Sequence, residues 1–597
     1  MSEPPPPANE PEPTLEAPPP RGASIFYRSL RDFFRDLPSE ARRFWLLVML
    51  TGVAAGLVAA GFLHLLRLVQ LLSWPKGATY LDGIKAASPL RRVVVPTLAG
   101  GLVTVAWLAT RQKLSGHGTP GVIEAIWRKE GRLSLPRAFL RDAMSIIAVS
   151  MGASLGREGA LIQTSAATGA TLGAFARLPG SSVRVLCACG AAAGIAAAYN
   201  VPIGGAVFGL EVLLGSFDLE LFGPIVIACV LSTLVARQLI ENRPTYPISH
   251  YNLTTPRDFG LMLLLGPLLG VASAAYVRGL DGITEALAKV PKPFAYALPP
   301  LSLAVVGLFA VKFPELLGNG YDTVELSLLG RLSVSLLLVL PLLKFLATSL
   351  NSASGVPGGL FTPSLYVGAL AGGALGELVT RLWPSPTPAG AYALVGMGCI
   401  LAGTTHAPVS SVLIVFELTD DYNVILPLMV ACVLAAAVSR RLSPDSIYTS
   451  SLRRRQVALP EHPRPEWLRQ TKVSALVRPG ADVVESTAPF EQTITRLIAL
   501  EPGRDLYVVG PDGRYLGAIV LEALKGHLPD WSDLPMVVAA DVMDRELEPL
   551  TPEMPLSEVA ARFAKTYLGR LPVVERSTGR LLGTVSKSRM FLHGRFQ

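Results

Sequence analysis

Apolar runs broken by short polar stretches fill the chain from about Phe44 to about Val438, after which its character changes. The first run, from Phe44, is long enough to cross a bilayer as a helix. Several later runs, 183–198, 201–215, 389–403 and 407–419, are short or interrupted by glycine and proline. Half-length or re-entrant helices of that kind must bury their ends in protein, because lipid cannot satisfy free backbone groups. Broken helices also mark ion sites in membrane domains. Ahead of the first run, residues 25–36 (IFYRSLRDFFRD) alternate aromatics and charges, which predicts an amphipathic helix at the inner membrane face. Residues 1–22 are proline-rich and polar, and disorder is expected there. From about Thr471 the pattern is soluble α/β: LYVV (506–509) and YLGAIV (515–520) accompany FEQTITRLIAL (490–500). A second copy follows as LSEVAARFAKTY (556–567), LPVV (571–574) and RLLGTV (580–585). The expected organisation is a tail (1–22), a juxtamembrane helix (23–43), a membrane domain (44–452) in halves 44–240 and 255–442, a linker (453–470) and a cytoplasmic region (471–597).

The membrane region repeats itself. Gly190 to Val212 matches Gly396 to Leu418 at a constant lag, which pairs Pro202 with Pro408 and Glu211 with Glu417. A looser echo joins SLGREGALIQ (154–163) to SGVPGGLFTPS (354–364). A broken-helix site in each half suggests an inverted-topology repeat with the site at the interface. Sequence alone leaves inversion and parallel duplication both open.

Composition agrees with the pattern. Of 597 residues, 50% are hydrophobic and 16% charged, and mean hydropathy is +0.43. A soluble protein of this length would carry more charge. The net charge is +8, and arginines gather at both ends of the membrane region. Arg28, Arg31, Arg35, Arg42 and Arg43 precede the first run; Arg440, Arg441 and Arg453 to Arg455 follow the last. The bias of basic residues to the cytoplasmic side puts both termini inside, with an even number of crossings of the cell membrane. No interleaved aromatics or binding motif support a nucleic-acid partner. Cys187, Cys189, Cys229, Cys399 and Cys432 all lie in apolar runs and read as small buried side chains, with no disulfide framework or metal site.

The chemistry concentrates at GREGA, Gly156 to Ala160. A carboxylate such as Glu158 in an apolar region is costly and functional by default. Its flanking glycines let backbone amides approach whatever occupies the place, as at anion-binding helix starts.

Four motifs in order, SGHGTP (115–120), GREGA (156–160), GGLFTP (358–363) and DSIYTS (445–450), resemble those of the CLC chloride channels and chloride/proton exchangers. NVPIGGAVFGLE (200–211) and HAPVSSVLIVFELTDDYNVILP (406–427) extend the resemblance, which covers roughly residues 42–452. It implies an all-α polytopic membrane domain with inverted repeats and broken helices. By the same resemblance, backbone amides at Gly118, from Gly156 through Arg157 to Gly159, and at Leu360 and Phe361 line the anion pathway. Partial positive charge at helix starts suits an anion that must also leave. Glu158 corresponds to the family's gating glutamate, whose carboxylate competes with chloride. Tyr448 corresponds to the tyrosine whose hydroxyl reaches the central anion site. The Arg157 guanidinium is expected to pair with an acid elsewhere in the fold.

Two positions depart from the family pattern. His117 stands where the family's loop carries a serine, which makes inner-side pH sensitivity an expectation. Val212 stands where many exchangers carry the inner proton glutamate, and a valine cannot bind a proton; Glu211 beside it reads as a structural acid repeated at Glu417. The region from Thr471 resembles a pair of cystathionine-β-synthase-type (CBS) domains. Neither Ala523 nor Arg589, at the positions of the ribose-binding acid, fits adenine nucleotide, and a dimer-stabilising role is expected instead.

The resulting expectation is a gated chloride channel, passive, with Glu158 as a gate sensitive to pH or voltage. The alternative is chloride/proton exchange through the same glutamate. A divalent-cation pore would need clustered acids, whereas the apolar core offers few beyond Glu158, Glu211, Glu377 and Glu417. No nucleophile–base constellation indicates an enzyme, and no cofactor is implied beyond the transported chloride. The partners implied are chloride and other small anions, membrane lipid and a second copy of the chain, each copy with its own pore.

Overall fold

The computed structural model describes residues 39–110, 118–240, 245–248, 251, 256–383, 387–457, 471–500, 505–519, 537–566 and 568–593. Residues 1–22, the amphipathic stretch 25–36, His117 and Ala523 lie outside them. The chain divides into two compact units, Met1–Glu461 and His462–Gln597.

The first unit is built of helices joined by loops, with no named strand among its described residues. Its first helix, Ser39–Ser73, takes in residues 39–43 without a break. Seven helices among the described residues are long and apolar enough to cross a membrane. Four apolar helices are shorter: Pro202–Leu214, Leu298–Lys312, Ala389–Thr405 and Pro408–Thr419. Gly180–Tyr199 and Ala389–Thr405, rich in alanine and glycine, are buried along nearly their whole lengths. Small side chains let neighbouring helices approach closely where lipid gives no hydrophobic drive. All five cysteines are free and buried.

The lag seen in the sequence is a structural period. Gly180–Tyr199 ends at Asn200 with φ 60°, and Ala389–Thr405 ends at His406 with φ 61°. Each left-handed cap turns the chain and is followed two residues later by a proline in the first turn of the next helix, Pro202–Phe208 or Pro408–Thr419. Pro202–Phe208 runs on through one π-helical stretch, Gly209–Leu214, that carries Glu211. The two glutamates then exchange roles across the repeat. Glu211 accepts from the Val409 and Ser410 amides at 3.3 and 2.7 Å. Glu417 accepts from the Ile203 and Gly204 amides at 3.1 and 2.6 Å. Each helix therefore holds the start of the other with an acid near its own end, so the pair is antiparallel. The two-fold axis relating them is perpendicular to the helices, and the repeat is inverted.

The second unit holds two small α/β layers. Val483–Glu485 pairs parallel with Leu506–Val509, which pairs antiparallel with Tyr515–Ile519. Helix Phe490–Ile498 covers this sheet through Leu497, packed with Val484, Leu506 and Val508. In the second layer Arg570–Val574 pairs antiparallel with Leu581–Ser586, and Leu556, Val559 and Phe563 of helix Leu556–Lys565 share its core.

Candidate functional site

Two loops set the site. Gly156 donates its amide to Gly359 at 2.8 Å, and Gly359 returns the bond at 2.7 Å. This bridge brings together the starts of helices Glu158–Phe175 and Phe361–Leu382, so that their free amides point into one space. A Cβ on either glycine would overlap the Glu158 carboxylate, which explains why both are glycine.

Glu158, 1% exposed, reaches across this gap. Its Oε1 accepts from the Phe361 amide at 2.7 Å and the Thr362 amide at 3.4 Å. Its Oε2 accepts from the Thr362 hydroxyl at 2.9 Å and the Tyr199 hydroxyl at 3.2 Å. The carboxylate of one helix start thus sits on the amides of the other, in the place and with the partners suited to a small anion.

Around it, Tyr199, Phe361, Phe208 and Tyr448 form a chain of ring contacts with centroids 5.4, 6.4 and 6.3 Å apart. The Tyr448 hydroxyl is buried and has no hydrogen-bond partner among the described residues. A third helix, Gly118–Arg128, begins against Gly159, whose carbonyl a Cβ on Gly118 would strike. The expected amide residues Gly118, Gly156, Gly159, Leu360 and Phe361 are therefore gathered near Glu158. The Gly156 amide is committed to Gly359, so that glycine contributes close approach.

Arg157 departs from expectation. Among the described residues its guanidinium meets an aromatic face, with Cζ 4.8 Å from the Tyr321 ring centroid, and no acid. Its Nε has no hydrogen-bond partner among the described residues. Tyr199, Tyr246 and Tyr321 cluster there, and a ring face attracts a cation without neutralising it. Arg67, Arg157 and Arg237 border a cavity of about 190 Å³ beside Tyr199.

Val212 is half-buried in the π-helical stretch, and Glu211 is taken up by helix Pro408–Thr419. The acids of the apolar core are more numerous than expected, since Asp142 and Asp258 are also buried. Sequence reasoning passed over Tyr199 and Thr362, the two hydroxyls on Glu158. Thr362 lay in plain view within GGLFTP, whereas Tyr199 ends an alanine-rich helix with no motif to mark it.

The profile described as voltage gated chloride channel matches residues 99–440, and a CBS domain profile matches residues 538–593. A ClcB-like chloride channel protein of Ralstonia nicotianae is 36% identical over 413 residues, covering 68% of this chain and 95% of that one. A ClcB voltage-gated chloride channel of Escherichia coli is 32% identical over 416 residues, covering 68% and 97%. Among solved structures, a slow cyanobacterial chloride/proton antiporter matches with TM-score 0.63 at 24% identity, over 69% of this chain and 98% of that one. A eukaryotic CLC transporter matches with TM-score 0.59 at 20% identity, over 92% and 97%.

A membrane domain with an inverted repeat, in which the starts of helices Glu158–Phe175 and Phe361–Leu382 converge on one buried space, defines a polytopic ion-transport protein with an α/β C-terminal region. Matched over more than half its length, the chain belongs to the CLC family, and chloride is the ion that family carries.

Proposed function

We propose that the chain is a gated chloride channel in which the Glu158 carboxylate and chloride compete for the amides of Phe361 and Thr362. One observation carries the reading: the carboxylate rests on those amides, with two hydroxyls completing its shell. Protonation removes the charge that holds the arm there, and voltage acts on the same charge at about 2.3 kcal/mol per 100 mV of field fully crossed. Leu360, Gly118 and Gly159 shape the pathway, Tyr448 offers it a neutral donor, and the Arg157 rim concentrates anions at its mouth. His117 adds an inner-side pH response.

Passive conduction is favoured by Val212, which cannot carry a proton at its own position, and by the relatives' description as chloride channels. Exchange is the second reading, favoured by the fit of Glu158 to proton carriage. The assembly is a homodimer in the cell membrane, with both termini cytoplasmic. Exposed apolar side chains on Leu219–Leu239 and Ile425–Leu442, Leu234 and Val433 among them, suit a second copy. The test is purified protein in liposomes with a chloride gradient and a proton-sensitive dye. Channel behaviour gives chloride flux without uphill proton movement; sustained pumping overturns the channel reading in favour of exchange.

A further inference from the structure

Asp142 is a buried acid that the gate as described does not use. It lies on helix Leu135–Ser150 and is 1% exposed. One oxygen, Oδ2, accepts from the Thr164 hydroxyl at 2.5 Å. The other, Oδ1, is buried and has no partner among the described residues. One turn along the same helix, the Ser145 hydroxyl is also buried and without a partner among them. A half-satisfied carboxyl within a membrane domain is costly and calls for an explanation. Two neighbouring polar atoms of this kind also suit a bridging water.

Its depth is informative. Thr164 lies six residues into helix Glu158–Phe175, about 9 Å along the axis from the gate. That helix runs toward the face holding the 129–134 turn, because Gly180 comes against Glu130 and Gly131 packs on the Arg184 backbone. The same face carries the contacts of Glu124 with Lys129 at 2.6 Å and Arg455 at 4.0 Å, where the chain leaves for the C-terminal region. Asp142 is seven residues from its own helix start on that face, about 10 Å. It therefore stands between the C-terminal face and Glu158, beside Thr164 on the helix that the gate begins. The charged group acting on Asp142 is its neighbour Arg141, whose guanidinium engages Gln163. Of the helices packed against this one, Glu158–Phe175 carries no charge but Glu158, and neither Ser39–Ser73 nor Pro89–Thr110 brings a charge to Asp142.

We propose, resting on the gate reading above, that Asp142 is the proton way-station between the C-terminal face and Glu158. The Asp142 carboxyl gives its proton, through hydroxyls and water, to the Glu158 carboxylate. Asp142 is left as a carboxylate and is reprotonated from solution at the C-terminal face, while the neutral Glu158 arm leaves the Phe361 and Thr362 amides.

The experiment is chloride current from the full chain in an oriented bilayer, with pH stepped from neutral to mildly acidic on one face at a time. In the parent chain, acid on the C-terminal face opens the pathway. With D142N the current should follow that step at least about a hundredfold more slowly, the scale of losing a positioned proton donor. The response to acid on the opposite face should persist, and D142E should restore the parent behaviour. D142N that follows the step as fast as the parent overturns the proposal, as does a parent with no response on that face. Should D142N fail to assemble, T164V with Asp142 intact takes its place and should alter the same response alone. E158Q separates this idea from its foundation: if its acid responses match the parent's on both faces, the gate reading falls first. If E158Q loses them and D142N does not, only the way-station falls.

Discussion

Replacing Glu158 by glutamine tests the gate with little change of shape. The carboxylate holds three contacts within 3.2 Å, from the Phe361 amide, the Thr362 hydroxyl and the Tyr199 hydroxyl. A hydrogen bond to a charged group contributes about 1.5–3 kcal/mol against about 0.5–1.5 kcal/mol for a neutral one. The neutral amide therefore gives up about 1 kcal/mol at each, or about 3 kcal/mol in its hold on the space. At about 1.4 kcal/mol per factor of ten, chloride gains roughly a hundredfold against the arm. Because a gate already open part of the time caps the visible gain, flux at neutral pH should rise about tenfold or more. Its dependence on pH should flatten, since glutamine has no proton to gain in this range. The assay is chloride efflux from liposomes holding E158Q or the parent protein, over a pH series with equal protein incorporation. Efflux from E158Q that stays at the parent level and keeps the parent's acid dependence would refute the competition between arm and anion.

Other perturbations should scale with the contacts they touch. T362V removes one hydroxyl from the carboxylate and should raise neutral-pH efflux by up to about tenfold, equivalent to about 1.4 kcal/mol, while keeping acid dependence; a flat pH profile would count against the assigned role of Glu158. E417Q takes the charge from the Ile203 and Gly204 amides and should lower stability in detergent by about 1 kcal/mol, read as an earlier thermal midpoint; an unchanged midpoint would show the reciprocal caps to be decorative. In the soluble unit, burial raises the Asp505 carboxyl to about 6 against an opposing pull from Arg570, and its Oδ2 has no partner among the described residues. A raised value in the fold means its contribution is present below the unfolded value of about 4 and lost as pH rises through about 6. D505N should therefore stabilise this unit at neutral pH by about 1 kcal/mol after allowing for partial exposure, with the gain fading toward pH of about 4. Thermal melting of the C-terminal transition in the full chain reads this directly, and a gain that grows on acidification would contradict it.

The sequence was most legible where chemistry repeats or where lipid leaves no choice. The constant lag between Gly190–Val212 and Gly396–Leu418 carries into matched caps at Asn200 and His406 and into the exchange between Glu211 and Glu417. Parallel duplication and inversion share the same residues, so only the direction of the two helices separates them. Glu158 stood out because a lone carboxylate between glycines in an apolar region has few other uses. The partner of Arg157 was not legible: an arginine over Tyr321 and one facing an acid have the same local sequence, and Tyr321 is far along the chain. Asp142 was passed over for a similar reason, because its flank LRDAMS reads as the polar side of an ordinary helix until Thr164 closes on it. Tyr199 gave no sign at all beyond its place at a helix end.

On the proposed gate reading, the two hydroxyls on Glu158 also account for how the arm would leave. The Tyr199 and Thr362 hydroxyls lie 2.8 Å apart, so each can turn to the other when the carboxylate departs. Neither is then stranded in a buried place, where an unmade bond costs about 1–3 kcal/mol. The Phe361 and Thr362 amides have no such alternative, since they begin a helix and lack an intrahelical acceptor. On this reading chloride has to satisfy only the backbone donors, which present partial charge without a buried cation. The hold on the ion is then weak enough for it to move on, while the empty site still favours the return of the arm.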